Sequence, residues 1–199
     1  MKSEIMSRQI ALPIDAIVNG EIGRLIITNC NEFIVRRIDQ IFQKSSGQLL
    51  LSGAGRSGKS TMLKYAATLG DAVIIDDAQN SGEEFLFAQW NLAREKNIPL
   101  IFASQRPAFE WQMTLPDLKS RIGSMDWVEI APPDDEMVEN LLQKHLNDRG
   151  ATIYDEASAY LIKRIERSYM AVEQCAIEIN RLALEQKSPI TLPLVRQIY

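Results

Sequence analysis

Nine residues, Gly53 to Thr61 (GAGRSGKST), fit the pattern G-x-x-x-x-G-K-[ST]. An apolar run precedes them and a helical pattern follows, and that context gives the match its meaning. The chemistry is the cradling of phosphate. Gly53, Gly55 and Gly58 let the backbone turn tightly around Ser57, so that its N–H groups face anionic oxygens at the positive end of the next helix. Lys59 would reach the β- and γ-phosphates. Ser60, ahead of Thr61, would hold Mg²⁺, and the nucleotide would be ADP or ATP.

Three further positions could join that chemistry. Asp76 and Asp77 end an apolar run, where one carboxylate can serve the metal through water and the next can orient an attacking water. Asp76 is assigned the metal and Asp77 the water. Ser104-Gln105 ends another apolar run, and in an open parallel sheet ligands bind beyond the carboxyl ends of the strands. Gln105 is a candidate sensor of the γ-phosphate or lytic water, and equally a plain loop cap. Arg121 sits in LPDLKSRI, on the far side of its own subunit from the nucleotide. By position alone it reads as a surface arginine; it makes chemical sense as a charge supplied to a neighbour's triphosphate.

These residues need a scaffold, and the hydrophobic pattern supplies one. Residues 24–28 (RLIIT) read as a short strand or extended segment, and 31–44 as a helix with apolar residues at helical spacing. Strands are expected over 48–53, 72–77, 99–104 and 126–133, with helices over 59–69, 83–97 and 115–122 between them. That alternation predicts an α/β fold, a parallel sheet covered by helices. From Asp134 onward four helical segments follow with no strand. Pro132-Pro133 marks the junction, so the expected division is an N-terminal segment 1–20, a core 21–132 and a helical lid 133–199.

The net charge of −4 argues against a protein whose affinity comes from neutralising many phosphates, although Lys119–Arg121 and Lys163–Arg167 are locally basic. Cys30 and Cys175 are far apart and in no metal-ligand spacing, as expected of free thiols in a reducing compartment. The sequence contains neither a signal-peptide pattern nor a run long enough to span a membrane, so a cytoplasmic protein is expected.

Taken together, GAGRSGKST, Asp76-Asp77, SQRPAFEW, LPDLKSRI and the segments EIAPPDDEMVENLLQKHLNDRGATI and KRIERSYMAVEQ resemble AAA+ ATPases, and more narrowly the DnaA/Hda family. The resemblance runs over nearly the whole chain, including an Asn-bearing segment, Asn29-Cys30-Asn31, ahead of the phosphate loop. It implies a P-loop AAA+ core with a C-terminal helical lid, and it makes Arg121 a finger acting in trans. Gln105 stands where an acidic residue is usual. Hda-type members begin with a peptide that binds the sliding clamp, the DNA polymerase III beta subunit. Gln9, Leu12, Pro13 and Ile14 of QIALPI match that peptide residue by residue. An extended peptide of this kind plugs apolar side chains into a pocket while the glutamine amide bonds the rim.

The implied role is regulatory. Docked on the DNA-loaded clamp, the chain would make ATP-bound DnaA hydrolyse its nucleotide, touching DNA only through the clamp; a homodimer is a further expected partner. The chain departs from the family in two places. Only sixteen residues separate Lys59 from Asp76, which predicts a four-stranded sheet lacking an edge strand. Met170 stands where the family carries a γ-phosphate-sensing arginine, with Arg164 and Arg167 as nearby substitutes, so the chain's own hydrolysis is expected to be weak or absent. A self-assembling AAA+ ATPase of helicase-loader type is the alternative reading, and a small-molecule kinase a more distant one.

Overall fold

The computed structural model describes residues 25–44 and 47–199. Its centre is a parallel sheet of four strands, β1 (Gln48–Ser52), β2 (Val73–Ile75), β3 (Leu100–Ser104) and β4 (Asp126–Glu129), in the order β2-β3-β1-β4. Ser52 of β1 stands opposite Ser104 of β3 and Glu129 of β4, so the carboxyl ends of three strands come level. Each parallel step requires a crossover. Helices α2 (Lys59–Thr68), α3 (Glu83–Lys96) and α4 (Pro116–Gly123) provide them, and α1 (Glu32–Gln43) precedes the sheet.

The inner strands are apolar on both faces because both faces are covered. Alternate residues divide between the two sides. Leu49, Leu51 and Ile101 pack with Ile34, Ile38, Met62 and Ala66 of α1 and α2. Leu50, Leu100 and Phe102 pack with Leu86, Trp90, Leu118 and Ile122 of α3 and α4. Edge strand β4 buries only Val128.

The expected four-stranded sheet is observed, and sixteen residues accommodate α2 and a turn but not another strand–helix pair. Several elements are shorter than the sequence suggests. β2 keeps three of six expected residues, since Asp77 adopts a left-handed backbone (φ 54°) that breaks the extended run. β4 stops at Glu129, before the proline pair. Residues 25–28 form no strand; Asn31 ties this segment instead, accepting from Thr28 N at 2.8 Å and donating to Ile26 O at 2.7 Å.

The carboxyl-terminal part consists of α5 (Asp135–Asn147), α6 (Asp155–Ile162), α7 (Tyr169–Gln186) and α8 (Leu192–Val195) around their own apolar cluster. Asp134 joins it to the rest. Its carboxylate caps α5 through Met137 N at 2.7 Å and also accepts from Thr28 Oγ1 and Cys30 N, both at 3.0 Å. Cys30 and Cys175 are free thiols, and burial pushes the Cys175 thiol up to about 11. Among the described residues no helix is long and apolar enough to cross a membrane.

Candidate functional site

The phosphate loop runs from the end of β1 into α2, and two of its glycines are required by geometry. Gly58 has φ 88°, the left-handed region that side chains disfavour. A Cβ on Gly53 would meet Ser57 Oγ at 2.9 Å and Ile130 Cβ at 3.0 Å. The loop spends little of its own hydrogen-bonding capacity. Ser57 N–H reaches Ala54 O at 3.3 Å, whereas the amides of Gly58, Lys59, Ser60 and Thr61 meet no acceptor among the described residues. Ser57 Oγ is buried without a partner. Free donors converging at a helix start form an anion cradle.

Lys59 Nζ donates to Gly53 O at 2.8 Å and Ala54 O at 2.7 Å, which keeps the ammonium inside the loop. Burial lowers its pKa, and the charges of Asp76 and Asp77 oppose that shift. Ser60 Oγ donates to Asp76 Oδ2 at 2.5 Å. Hydroxyl and carboxylate therefore meet, as needed to hold Mg²⁺ alongside phosphate oxygens. Among the described residues no group of three His, Cys, Asp or Glu side chains could hold a metal unaided, so phosphate would have to complete the shell. Both the amide cradle and the Ser60–Asp76 pair fit a Mg²⁺–nucleotide.

Asp77 is engaged differently. One of its carboxylate oxygens accepts from the Gln79 side chain and the other from Asn80 Nδ2 at 2.7 Å. Gln79 Oε1 in turn accepts from Gln105 N at 3.2 Å. Gln105 thus joins this network through its backbone, and its exposed side chain makes no hydrogen bond among the described residues. No sequence pattern flags the amides of Gln79 and Asn80; their role appears only once Asp77 turns back over them.

A cavity of about 230 Å³ continues from the loop toward the lid. Leu25, Met62, Met137 and Leu141 give it apolar walls, with His145 and Glu173 at its polar side. Burial holds the His145 imidazole below its ordinary range, and the Glu173 charge pulls the other way. Arg56 of the loop pairs with Glu173 of α7 at 3.3 Å. Met170 comes close to the loop, 3.9 Å from where a Cβ on Gly55 would stand. Neither expected substitute joins it. Arg167 pairs with Asp135 at 2.7 Å, and Arg164 lies 3.6 Å over the Tyr160 ring.

Arg121 lies on α4 with partners of its own. Its Nε and Nη2 donate to Asp117 Oδ1 and Oδ2 at 3.1 and 2.8 Å, and its Nη1 to Asn91 Oδ1 at 2.8 Å. Its Cζ stands 4.4 Å from the Phe87 ring centroid. None of these residues lines the cavity. Gln9, Leu12, Pro13 and Ile14 lie outside the described residues.

Comparison with known proteins agrees with this geometry. Residues 134–199 match the family described as Hda, lid domain. The chain is 27% identical over 151 residues to the chromosomal replication initiator protein DnaA of Symbiobacterium thermophilum, covering 71% of this chain and 32% of that protein. It therefore spans about a third of the length of that curated relative. Among solved structures, domain III of Thermotoga maritima DnaA superposes with a TM-score of 0.71 at 13% identity, covering 87% of this chain and 92% of that one. AMPPCP-bound DnaA from Aquifex aeolicus superposes at 0.64 with 15% identity, over 82% of this chain and 65% of that one. At such identities the likeness shows the fold, and that fold is the AAA+ module.

Proposed function

Because the chain belongs to the DnaA/Hda family of AAA+ proteins, we propose that it regulates replication initiation by promoting hydrolysis of DnaA-bound ATP. In this reading the chain binds ADP or ATP with Mg²⁺ in its own loop. It docks on the sliding clamp through Gln9, Leu12, Pro13 and Ile14, and presents Arg121 to the partner's triphosphate. It works in the cytoplasm, and it meets DNA only through the clamp. The observation that carries the reading is Arg121 itself: a cradled guanidinium whose partners all lie outside the chain's own cavity, in a chain with an Hda-type lid.

Each residue has a definable task. The free amides of Gly58 to Thr61 bind phosphate oxygens, and Lys59 exchanges two carbonyls for phosphate. Ser60 and Asp76 position the metal, which supplies charge neutralisation between phosphate oxygens. Met170 presents a thioether where a cation would sense the γ-phosphate, and Asp77 is held by two amides. Bound nucleotide then serves mainly to fix lid against core, stabilising the fold by mass action. Arg121 contributes transition-state charge to another active site, where such groups act most strongly.

Direct binding of the full chain to its cognate clamp, wild type beside Gln9→Ala/Leu12→Ala, tests the docking arm. Saturable binding lost in the double variant is expected. Clean folding with no wild-type binding would instead favour a self-assembling ATPase. Arg121→Ala tests the catalytic arm: clamp binding should survive while stimulation of DnaA hydrolysis is lost, and normal stimulation would sink the finger assignment.

A further inference from the structure

We propose that Phe87 and Asn91 of α3 are positioning residues for Arg121, holding its guanidinium ready to act in trans. The proposal rests on the finger reading above and deepens it.

Phe87 and Asn91 are four residues apart and so share one face of α3. That face supplies the ring under the guanidinium, 4.4 Å from Cζ, and the amide oxygen that takes Nη1 at 2.8 Å. Asp117 takes Nε and Nη2 from within α4. Three of the five guanidinium N–H groups are thereby used and two remain for a ligand. A free arginine stem samples many rotamers, and an arginine that must first be ordered delivers its charge less effectively than one already in place.

The partners differ in kind. Asp117 is an anion, four residues before Arg121 and with 63% of its side chain exposed, so this pair is weak and open to replacement by phosphate. Phe87 and Asn91 are neutral. They orient the cation without cancelling its charge, as a finger requires when Asp117 lets go. The support beneath them is rigid. Leu118 and Ile122 anchor α4 in the core, and Glu83 at the start of α3 accepts from Thr114 and Leu115 N–H at 2.8 and 2.7 Å, just before α4. Helices α3 and α4 are thus tied at both ends of their contact.

The test uses the full chain with DNA-loaded clamp and ATP-bound DnaA. Asn91→Ala and Phe87→Leu are expected to lower the maximal stimulated rate by about tenfold with the half-saturating concentration unchanged, and Phe87→Tyr, which keeps the ring, to restore it. In parallel, ¹⁵N NMR of the isolated chain should show the Arg121 Nε–H as slowly exchanging in wild type and mobile in Asn91→Ala. Because Asn91 is exposed, its variant should fold even if Phe87→Leu does not. Full stimulation by folded Asn91→Ala, or a mobile Nε–H in wild type, would overturn the positioning role while leaving the finger intact. Full stimulation by Arg121→Ala would overturn the finger reading and this proposal with it.

Discussion

Arg56 of the phosphate loop and Glu173 of α7 meet at 3.3 Å, so the lid is tied to the loop by a contact within the protein. The tie falls one helical turn after Met170, in the first turns of α7. Arg56 is largely exposed, and exposed pairs contribute about 0–1 kcal/mol. For a chain of this size Glu173→Gln should therefore lower Tm by no more than about 2–4 °C. Hydrogen exchange should rise selectively in the first turns of α7. Unchanged exchange there would show that packing alone holds the lid.

Lys59→Ala removes the ammonium that two carbonyls now hold and that phosphate would replace. A charge-assisted hydrogen bond contributes about 1.5–3 kcal/mol, so affinity for a fluorescent adenine nucleotide should fall about ten- to a hundredfold. The variant should also lose most of the thermal stabilisation that added nucleotide gives wild type. An unchanged titration would contradict the role given to the loop.

Both carboxylate oxygens of Asp77 are occupied, one by the Gln79 side chain and the other by Asn80 Nδ2, which leaves neither free to orient a water. Asn80→Ala frees the oxygen that accepts from Asn80 Nδ2. The chain's own steady-state hydrolysis, measured without clamp or DnaA, is expected to rise above wild type. If it stays flat, the missing cation at Met170 is the limiting defect, and Met170→Arg becomes the variant that restores turnover.

Glu83 provides a pH-dependent tie. Hydrogen bonds from Thr114 N–H, then Leu115 N–H and the Thr114 hydroxyl, hold its carboxyl below the ordinary glutamate range. A depressed carboxylate stabilises the fold above its unfolded pKa of about 4.3 and loses that contribution as pH falls through the lower folded value. Protection of the Thr114 and Leu115 amides should therefore drop on acidification below that range. In Glu83→Gln the drop should be absent, because the tie is already weakened at neutral pH.

Much of the site was legible because it is local. Gly53 to Thr61 is a contiguous pattern, and its position between a strand and a helix was readable from hydrophobic periodicity alone. Asp76 ends the next apolar run, which must reach the same edge of a parallel sheet, and there it accepts from Ser60 Oγ. The missing edge strand followed from counting sixteen residues. Met170, matched by resemblance to the position of a sensing arginine, stands in the first turn of α7, 3.9 Å from where a Cβ on Gly55 would stand.

What was misread depends on direction. Arg164 and Arg167 stood near Met170 in sequence, but they precede α7, and the chain there turns them to Tyr160 and Asp135. Gln105 donates its backbone N–H to Gln79 Oε1, a contact that its place at a strand end does not announce. The clamp-binding peptide remains a sequence inference, since Gln9 to Ile14 lie outside the described residues.

The sequence by itself determined the α/β order, the phosphate loop and the four-stranded sheet, because periodicity, glycine placement and chain length act over neighbouring residues. Tertiary structure alone decided which side chains answer each other across distance. It brought Glu173 to Arg56 over 117 residues and Asn91 to Arg121 over 30. Such pairs depend on how helices pack against one sheet, and no local pattern encodes the angle at which two helices meet.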